Sequence, residues 1–133
     1  MPVDPQCPFC NIHLIPQQRV VLSSELCLFL QMPQEVLAGS GVIVPKAHRE
    51  TLFDLTPEEW QDTYALLQKV KALLDDQLAP DGYNVGWNSG KVAGQHIAHA
   101  HLHVIPRFAD EPYAGKGIRH WLKQPENRRP GLC

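Results

Sequence analysis

The segment 99–105, HAHLHVI, constrains the fold of this chain more than any other stretch, because polar and apolar residues alternate through it. His99, His101 and His103 occupy its alternate positions, and the residues between them are apolar. A period of two is typical of a β-strand, in which successive side chains point to opposite faces of the sheet. We therefore expect a half-buried strand whose polar face carries only histidine. Such a face is either a reactive surface or a metal site.

The length and the charge of the chain limit its architecture and its partners. With 133 residues, 44% of them hydrophobic, it can build one domain with a real core and is too short for two. A net charge of −2 gives no basic field for wrapping a nucleic acid polymer, although a small phosphorylated ligand needs only local donors. We expect one domain over residues 1–133 that binds a small partner.

Neither a membrane partner nor a disulfide scaffold is indicated. No segment reaches the roughly 18 consecutive apolar residues of a membrane span, and the first residues lack the pattern of a targeting peptide. We therefore expect a cytoplasmic protein. Among the four cysteines, Cys7 and Cys10 form a CxxC pair, Cys133 is the last residue, and Cys27 lies in an apolar segment where a free thiol packs like a small hydrophobe.

Several short segments predict β-strands. They are residues 19–22, 26–30, 42–44, 83–88 and the histidine segment itself. The first two flank a turn-prone Ser-Ser-Glu sequence and should form an antiparallel hairpin. A glycine-bearing loop over 89–95 joins the last two, and its backbone amides can approach an anion closely.

A long amphipathic helix is predicted between the third and fourth strands. Thr56 can cap it, Pro57 suits its first position, and the two glutamates that follow favour the positive end of the helix dipole. Apolar residues then recur every three or four positions, at Trp60, Tyr64, Leu67, Val70, Leu74 and Leu78. We expect this stripe to be core. The predicted fold class is α+β, with an antiparallel sheet of about five strands, one long helix and an irregular tail over 109–133.

A histidine face beside a loop of amide donors suits two-step phosphoryl or nucleotidyl transfer. An imidazole is neutral at pH 7, nucleophilic without losing a proton, and a good leaving group once phosphorylated on nitrogen. Asn88, Gln95 and the N–H groups of the loop stand where they could hold the non-bridging oxygens of a phosphate. The structural alternatives are that Asn88 fixes the turn and that Gln95 is solvated.

The CxxC pair indicates half of a tetrahedral zinc site, because two thiolates three residues apart can bind one metal ion. The missing ligands must come from elsewhere in the chain. His48 and one histidine of the 99–103 segment are the candidates. The alternative is a reduced, unliganded pair or a redox motif, although a thioredoxin-like motif would need a βαβ context.

These motifs together resemble the histidine triad family of nucleotide hydrolases and transferases. The signature of that family, HxHxHxx with apolar x, stands here after GQ and before PR. The resemblance extends through GSGVIVPKAH at 39–48, the long helix and NVGWN at 84–88, and covers roughly residues 7–108. The CxxC start is similar to that of zinc-containing bacterial members. The resemblance implies a zinc knuckle near 7–10 and a catalytic core over about 15–108.

The resemblance also implies a role for each site residue. His101 would be the nucleophile that takes the α-phosphorus of a nucleotide and forms a nucleotidyl-histidine, which water or another acceptor then releases. His103 would lie beside the phosphate and the departing group, and His99 would support the nucleophile from behind. Asn88 and Gln95 would bind phosphate oxygens.

Substrate and assembly follow from the same resemblance. The implied substrate is a purine nucleotide such as a dinucleoside polyphosphate, a nucleoside phosphoramidate or an adenylylated adduct. The implied assembly is a twofold dimer joined through sheets and helices.

In zinc-bearing relatives the first histidine of the triad is also a metal ligand. This implies a ligand set of Cys7, Cys10, His48 and His99. Four protein ligands leave no open position for water, so the zinc would be structural. A rival enzyme hypothesis is that all three histidines of the triad bind one catalytic metal ion, since alternate histidines on a strand can do so.

Three positions depart from the family pattern. Ser40 stands where a histidine usually supports the site, and Gln31-Met32 where an acidic residue commonly contacts the ribose. His96 stands where a small hydroxyl residue usually follows GQ, so its backbone amide or imidazole would contact a phosphate instead. The missing histidine at position 40 motivates an alternative function, a purine nucleotide sensor with little turnover.

Overall fold

Five β-strands form one antiparallel sheet in the computed structural model, which describes residues 3–131. The strands are β1 (Arg19–Ser23), β2 (Cys27–Gln31), β3 (Gly41–Pro45), β4 (Gly82–Trp87) and β5 (Leu102–Arg107). Their order across the sheet is β1-β2-β3-β5-β4, so β1 and β4 are the edges. One long helix, α1 (Pro57–Leu78), lies between β3 and β4 in the chain. The predicted α+β class is confirmed.

The predicted hairpin of β1 and β2 is present and is tied to the helix. Leu22 pairs with Phe29 and Val20 pairs with Leu30, with a bulge between Val20 and Leu22. In the turn, the Ser24 hydroxyl donates to the Asp62 carboxylate at 2.5 Å. This contact joins the turn to α1.

The helix begins where its capping signals predict. The Thr56 hydroxyl accepts from the Glu59 N–H at 3.1 Å, and the Glu59 carboxylate accepts from the Thr56 N–H at 2.8 Å. This reciprocal pair is a capping box. At the other end, Ala79 adopts a left-handed conformation with φ of 48°, which ends α1.

The predicted apolar stripe of α1 is wrong at three positions. Trp60 and Tyr64 are 50% and 62% exposed, and Leu78 is 38% exposed. The other predicted positions, Leu67, Val70 and Leu74, do contact the core. Trp60 therefore lies on the flank of the helix, where its ring stacks on Trp87 of the edge strand β4 with the centroids 6.1 Å apart, and Tyr64 lines the same surface.

The face of α1 that packs toward the sheet differs from the predicted stripe and includes two polar residues. Its buried residues are Glu59, Thr63, Leu66, Val70 and Leu74. The Thr63 hydroxyl donates to the Glu59 carbonyl at 2.8 Å, and Arg49 Nε donates to the Glu59 carboxylate at 2.9 Å. Because these polar groups have partners, the helix can bury them. Leu66, Val70 and Leu74 recur at helical spacing, so hydrophobic periodicity fits this face of α1 as well as the neighbouring one that was predicted.

The two faces of the sheet pack against different elements. On the helix face, a core cluster joins Phe29, Ile43 and Val104 to α1. Cys27 belongs to the same cluster and is fully buried, and burial raises the pKa of its thiol to about 11, so it is core as predicted. The opposite face meets the amino-terminal segment, where Phe9 packs against residues of β2 and β3.

The histidine segment is a strand only from Leu102 onward, so the prediction of a strand carrying all three histidines is wrong. His103 pairs with Val42 of β3, but His99 and His101 precede β5. The Ala100 N–H donates to the Arg49 carbonyl at 2.7 Å. The backbone therefore leaves the sheet here because it bonds to the loop after β3.

The described part of the tail is made of turns and one short 3₁₀ helix, Pro125–Asn127, as the sequence predicts. Arg107 fastens it to the sheet by donating to the Tyr113 carbonyl at 2.9 Å and to the Lys116 carbonyl at 2.8 Å. Cys133 lies outside the described residues. Over residues 3–131, no helix is both long enough and apolar enough to cross a membrane.

Candidate active site and metal centre

Four candidate metal ligands meet between the amino-terminal segment, the end of β3 and the histidine segment. They are Cys7, Cys10, His48 and His99, and their ligand atoms all lie within 4.8 Å of one another. Cys7 Sγ is 3.3 Å from His99 Nδ1, and Cys10 Sγ is 3.2 Å from His48 Nδ1. The structure thus brings together the ligand set that the resemblance implies, and this cluster could hold a metal ion.

The surroundings of the cluster fit a bound metal. His99 Nε2 donates to the Pro45 carbonyl at 2.8 Å, which leaves the lone pair of Nδ1 facing the thiols. Burial lowers the pKa of His99 to about 4, so its imidazole is neutral and able to act as a ligand. The Phe9 N–H donates to Cys7 Sγ at 3.4 Å. Two sulfur and two nitrogen donors suit a tetrahedral divalent ion.

His101 is next to the cluster but belongs to a different site. Its Nδ1 lies 2.8 Å from the His99 carbonyl, which can only accept, so the proton is on Nδ1. Burial lowers the pKa of His101 below 6.5, and the imidazole is neutral at pH 7 with its lone pair on Nε2. The ring of His103 is 4.9 Å away, and burial lowers its pKa as well. This arrangement leaves one nitrogen of His101 available as a nucleophile.

His101 and His103 line a cavity of about 600 Å³ on the sheet face opposite α1. Its apolar walls include Phe9, Ile15, Leu30, Leu37, Val42 and Ile105, and its polar lining includes Gln18, Gln31, Gln34, Ser40, Asn88 and His96. A cavity of this size, with apolar walls and a few convergent polar groups, is typical of a small-molecule site.

Asn88 and His96 reach this cavity, as predicted for residues that contact a phosphate. Asn88 is half-buried just beyond β4, and His96 is exposed. A Cβ on Gly94 would lie 3.4 Å from Asn88 Nδ2, and Gly94 has a φ of 96°, so the loop needs glycine here. Their contacts with a phosphate stay predictions.

The side-chain amide of Gln95 is fully hydrogen-bonded to backbone groups of its own loop and of the segment after β3. Its Oε1 accepts from the Gly90 N–H at 2.8 Å, and its Nε2 donates to the carbonyls of Glu50 at 2.6 Å and Ile97 at 3.0 Å. It is 7% exposed, so the solvated alternative is wrong. The amide holds loop 89–95 against the segment after β3, and its predicted contact with phosphate would require breaking these bonds.

The departures from the family pattern have their own hydrogen bonds. The buried Ser40 hydroxyl accepts from Gln34 Nε2 at 2.9 Å, and Gln31 Nε2 donates to the Gly39 carbonyl at 2.9 Å. Sequence reasoning missed Gln34, and nothing in the local pattern marks it. It also missed Phe9, whose signal is its place between two predicted metal ligands.

The three triad histidines do not converge on one point. Both nitrogens of His99 are engaged, one with the cysteine cluster and the other with the Pro45 carbonyl. Over residues 3–131, the group able to hold a metal excludes His101 and His103. The geometry therefore does not fit the rival hypothesis of a catalytic metal on all three.

Comparison with known proteins gives consistent matches. The family model described as HIT domain matches residues 14–110. An adenosine 5'-monophosphoramidase of Schizosaccharomyces pombe is 30% identical over 122 residues, which are 90% of this chain and 88% of that protein. A bis(5'-adenosyl)-triphosphatase of Dictyostelium discoideum is 33% identical over 94 residues, which are 71% of this chain and 63% of that protein.

A solved structure shares the fold. The Zn-bound histidine triad family protein from Mycobacterium smegmatis is 29% identical, with a TM-score of 0.68, and the match covers 80% of this chain and 78% of that one. The family match spans the five strands, the helix and all three triad histidines. This chain therefore belongs to the HIT domain, or histidine triad, family.

Proposed function

We propose that this protein is a nucleotide hydrolase or nucleotidyl transferase that works through a covalent nucleotidyl-histidine on His101. The observation that carries the proposal is the fixed tautomer of His101. Its Nδ1 is held by the His99 carbonyl at 2.8 Å, so Nε2 has the lone pair. A neutral, oriented imidazole in a cavity is the nucleophile that two-step nucleotidyl transfer requires.

The reaction runs in two displacements at the α-phosphorus. In the first, His101 Nε2 forms a bond to phosphorus while the bond to the leaving oxygen or nitrogen breaks, and the leaving group takes the electron pair and picks up a proton from water. In the second, water attacks the same phosphorus, the nitrogen–phosphorus bond breaks, and its electron pair returns to Nε2. The nucleoside monophosphate leaves, and the water gives up its proton.

Neighbouring groups hold the phosphate during these steps. His103, whose ring is 4.9 Å from that of His101, lies beside the phosphate and the departing group. Asn88, His96 and the loop N–H groups bind the non-bridging oxygens as charge redistributes. Gln95 acts through the loop, because its amide holds these donors in place.

The proposed substrates are purine nucleoside phosphoramidates and dinucleoside polyphosphates. Two relatives carry the names of such activities, a monophosphoramidase and a diadenosyl triphosphatase. The cavity of about 600 Å³ can take one nucleotide, with its base against apolar walls such as Ile15 and Leu30.

Turnover of both substrate types tests the function. Wild-type protein should hydrolyse adenosine phosphoramidate or diadenosine triphosphate, and His101→Ala should lower kcat by at least about a thousandfold. The matched control is His13→Ala, because His13 is exposed near the knuckle and should leave kcat unchanged. Turnover by His101→Ala at the wild-type rate would contradict the mechanism.

A nucleotide sensor with little turnover is the alternative function. One observation favours it: Ser40 stands at the cavity in place of a histidine and bonds only to Gln34 among the described side chains. Appreciable hydrolysis of either substrate by the wild-type protein would exclude a pure sensor.

Zinc is the proposed metal of the cluster formed by Cys7, Cys10, His48 and His99. The mixed sulfur and nitrogen donors support it, as does the zinc-bound relative. Bound zinc would supply a rigid crosslink and not a Lewis acid, because four protein ligands leave no open position.

Elemental analysis should find about one zinc per chain, and Cys10→Ser should lower that ratio, with Cys27→Ser as the control thiol. Purified protein with reduced cysteines and no zinc would contradict the assignment.

A second copy of the chain is the proposed partner, docked on the edge strand β4 and the flank of α1. Beside this edge lies an apolar surface formed by Trp60, Tyr64, Leu67, Val85 and Trp87. An unpaired strand edge and an exposed apolar patch both favour association. Sedimentation should give a dimer that Tyr64→Glu dissociates and that Tyr113→Glu, at an exposed position of the tail, does not. A wild-type monomer at micromolar concentration would contradict it.

The cytoplasm is the proposed compartment. Cys7, Cys10 and Cys27 form no disulfide, and cysteines stay out of disulfides in a reducing environment. Imaging of a tagged protein in its native cell tests this, and a signal confined to another compartment would contradict it.

A further inference from the structure

We propose that Phe9 is a positioning residue that links the cysteine and histidine cluster to the nucleophile. Its ring packs edge-on against His101, and its backbone belongs to the loop between the two cysteines. The inference rests on the proposed role of His101 in nucleotidyl transfer.

The CxxC loop fixes where Phe9 sits. Cys7 and Cys10 bracket it in the sequence, and the Phe9 N–H donates to Cys7 Sγ at 3.4 Å. The side chain is 5% exposed and packs with Leu30 and Val44 on the sheet face opposite α1. Any change at the two cysteines therefore moves the backbone that carries this ring.

Phe9 contacts both histidines that lie before β5. Its ring centroid is 5.7 Å from that of His99, with an interplanar angle of 84°, and 5.1 Å from that of His101, with an angle of 61°. Both are edge-to-face arrangements, which aromatic rings prefer to direct stacking. One buried side chain thus contacts a candidate metal ligand and the nucleophile.

His101 needs this contact because its single hydrogen bond does not fix its ring. The His99 carbonyl holds Nδ1 at 2.8 Å, and a ring held at one atom can still tilt about that bond. Phe9 and His103 both pack near the imidazole, with centroids at 5.1 and 4.9 Å. Their contacts limit the tilt and keep Nε2 aimed into the cavity. A misplacement of about 1 Å at a reacting atom can cost on the order of a hundredfold in rate.

Phe9 also lines the cavity, so two roles must be told apart. As a wall alone, Phe9 would contribute to nucleotide binding, and its loss would raise KM. As a positioning residue, it aims Nε2 in the bound complex, and its loss would lower kcat. The ratio of the two effects separates the roles.

The test compares Phe9→Ala and Phe9→Leu in the full chain, with Phe53→Ala as the matched control because Phe53 is 81% exposed. Adenosine phosphoramidate is the substrate, and zinc per chain is measured for every variant. We expect Phe9→Ala to lower kcat by about tenfold or more with a smaller change in KM, Phe9→Leu to recover part of it, and zinc content to stay at the wild-type level.

NMR of the His101 ring provides a readout that does not depend on turnover. Phe9→Leu should broaden the ring resonances of His101 in the zinc-loaded protein through exchange between ring orientations, which loss of the ring current of Phe9 does not cause by itself, while Phe53→Ala should leave them sharp. If Phe9→Ala loses zinc or unfolds, Phe9→Leu decides the outcome, since leucine keeps most of the apolar volume.

The outcomes are distinguishable. Wild-type kcat in Phe9→Leu together with His101 resonances as sharp as in the wild type would overturn the inference, as would a rise in KM alone. An absence of turnover in the wild type would contradict the proposed function, and the line widths of the His101 resonances would then still show whether Phe9 restricts the His101 ring.

Discussion

The two faces of the sheet are made by alternate residues of the same strands, yet they are completed differently. Toward α1, Phe29, Ile43 and Val104 are fully buried, and the helix closes the face. On the other face, His103 and Val42 border a cavity of about 600 Å³. We therefore assign most of the stability of the fold to the closed face and the proposed reaction to the open face. Substitutions on the closed face should therefore lower the free energy of unfolding, and substitutions at the open face should mainly lower the rate of turnover.

The largest effect is expected on the closed face. Phe29→Ala removes a ring with no exposed surface and should lower the free energy of unfolding by about 3–5 kcal/mol. Among molecules that stay folded, kcat should remain at the wild-type level. Urea titration gives the stability and a steady-state assay gives kcat. Phe53→Ala is the control and should change stability by less than about 0.5 kcal/mol. A kcat below the wild-type value for the folded molecules of Phe29→Ala would contradict this division between the two faces.

The second largest effect is expected for Gln95→Ala, which lies beside the open face. The change leaves the Gly90 N–H and the Glu50 carbonyl without their partner, although the Ile97 carbonyl still accepts from the His99 N–H, and it should cost about 2–3 kcal/mol of stability. Because the loop would also lose its place, kcat/KM should fall by about tenfold or more. Gln124→Ala, in the tail, is the matched control. A wild-type value of kcat/KM in Gln95→Ala would contradict the role of these hydrogen bonds in positioning loop 89–95.

Glu59 connects the two faces, and its contribution should depend on pH. Burial raises the pKa of its carboxyl group, but hydrogen bonds from the Thr56 N–H and Arg49 outweigh burial and hold the pKa below 4.5. A lowered pKa in the folded state stabilises the protein at pH above the unfolded value, and this stability is lost as pH falls through the folded value.

Glu59→Gln should therefore cost about 1–2 kcal/mol at pH 7 and less near pH 3. Urea titrations at several pH values measure this difference. The Arg49 carbonyl also accepts from the Ala100 N–H at 2.7 Å, so the histidine segment should loosen slightly and kcat should fall by about twofold. Equal stability loss at both pH values would contradict the assigned pKa.

The smallest effect is expected at Ser40. Its hydroxyl accepts from the exposed Gln34, so Ser40→Ala should cost less than about 1 kcal/mol. Thermal unfolding measures the cost, with Ser89→Ala as a control at a half-buried serine of loop 89–95. A loss of several kcal/mol in the free energy of unfolding would mean that this part of the open face also contributes to the stability of the fold.

Short-range patterns predicted most of the fold. The hairpin, the capped start of α1 and the strands depend on neighbours in the sequence, so local rules apply to them. The ligand set of the cluster was implied only by resemblance to a family, because nothing local connects Cys7 to His48 or His99.

The errors have two physical causes. Trp60 and Tyr64 are predicted as core, but both are largely exposed. The buried face of α1 instead carries Leu66, Val70 and Leu74, which have the same helical spacing. Period two predicted a strand at His99, but the backbone there bonds to the loop after β3. At the helix two apolar faces compete, and at His99 a partner distant in sequence outweighs the local pattern.

The central claim, nucleotidyl transfer through His101, is tested most directly by trapping the intermediate. Protein is mixed briefly with labelled adenosine phosphoramidate, denatured without acid and analysed by peptide mass spectrometry. The mechanism predicts an adenylate on His101 in the wild type and none in His101→Ala. Full labelling of His101→Ala, or turnover in the wild type with no adduct at any time point, would contradict it.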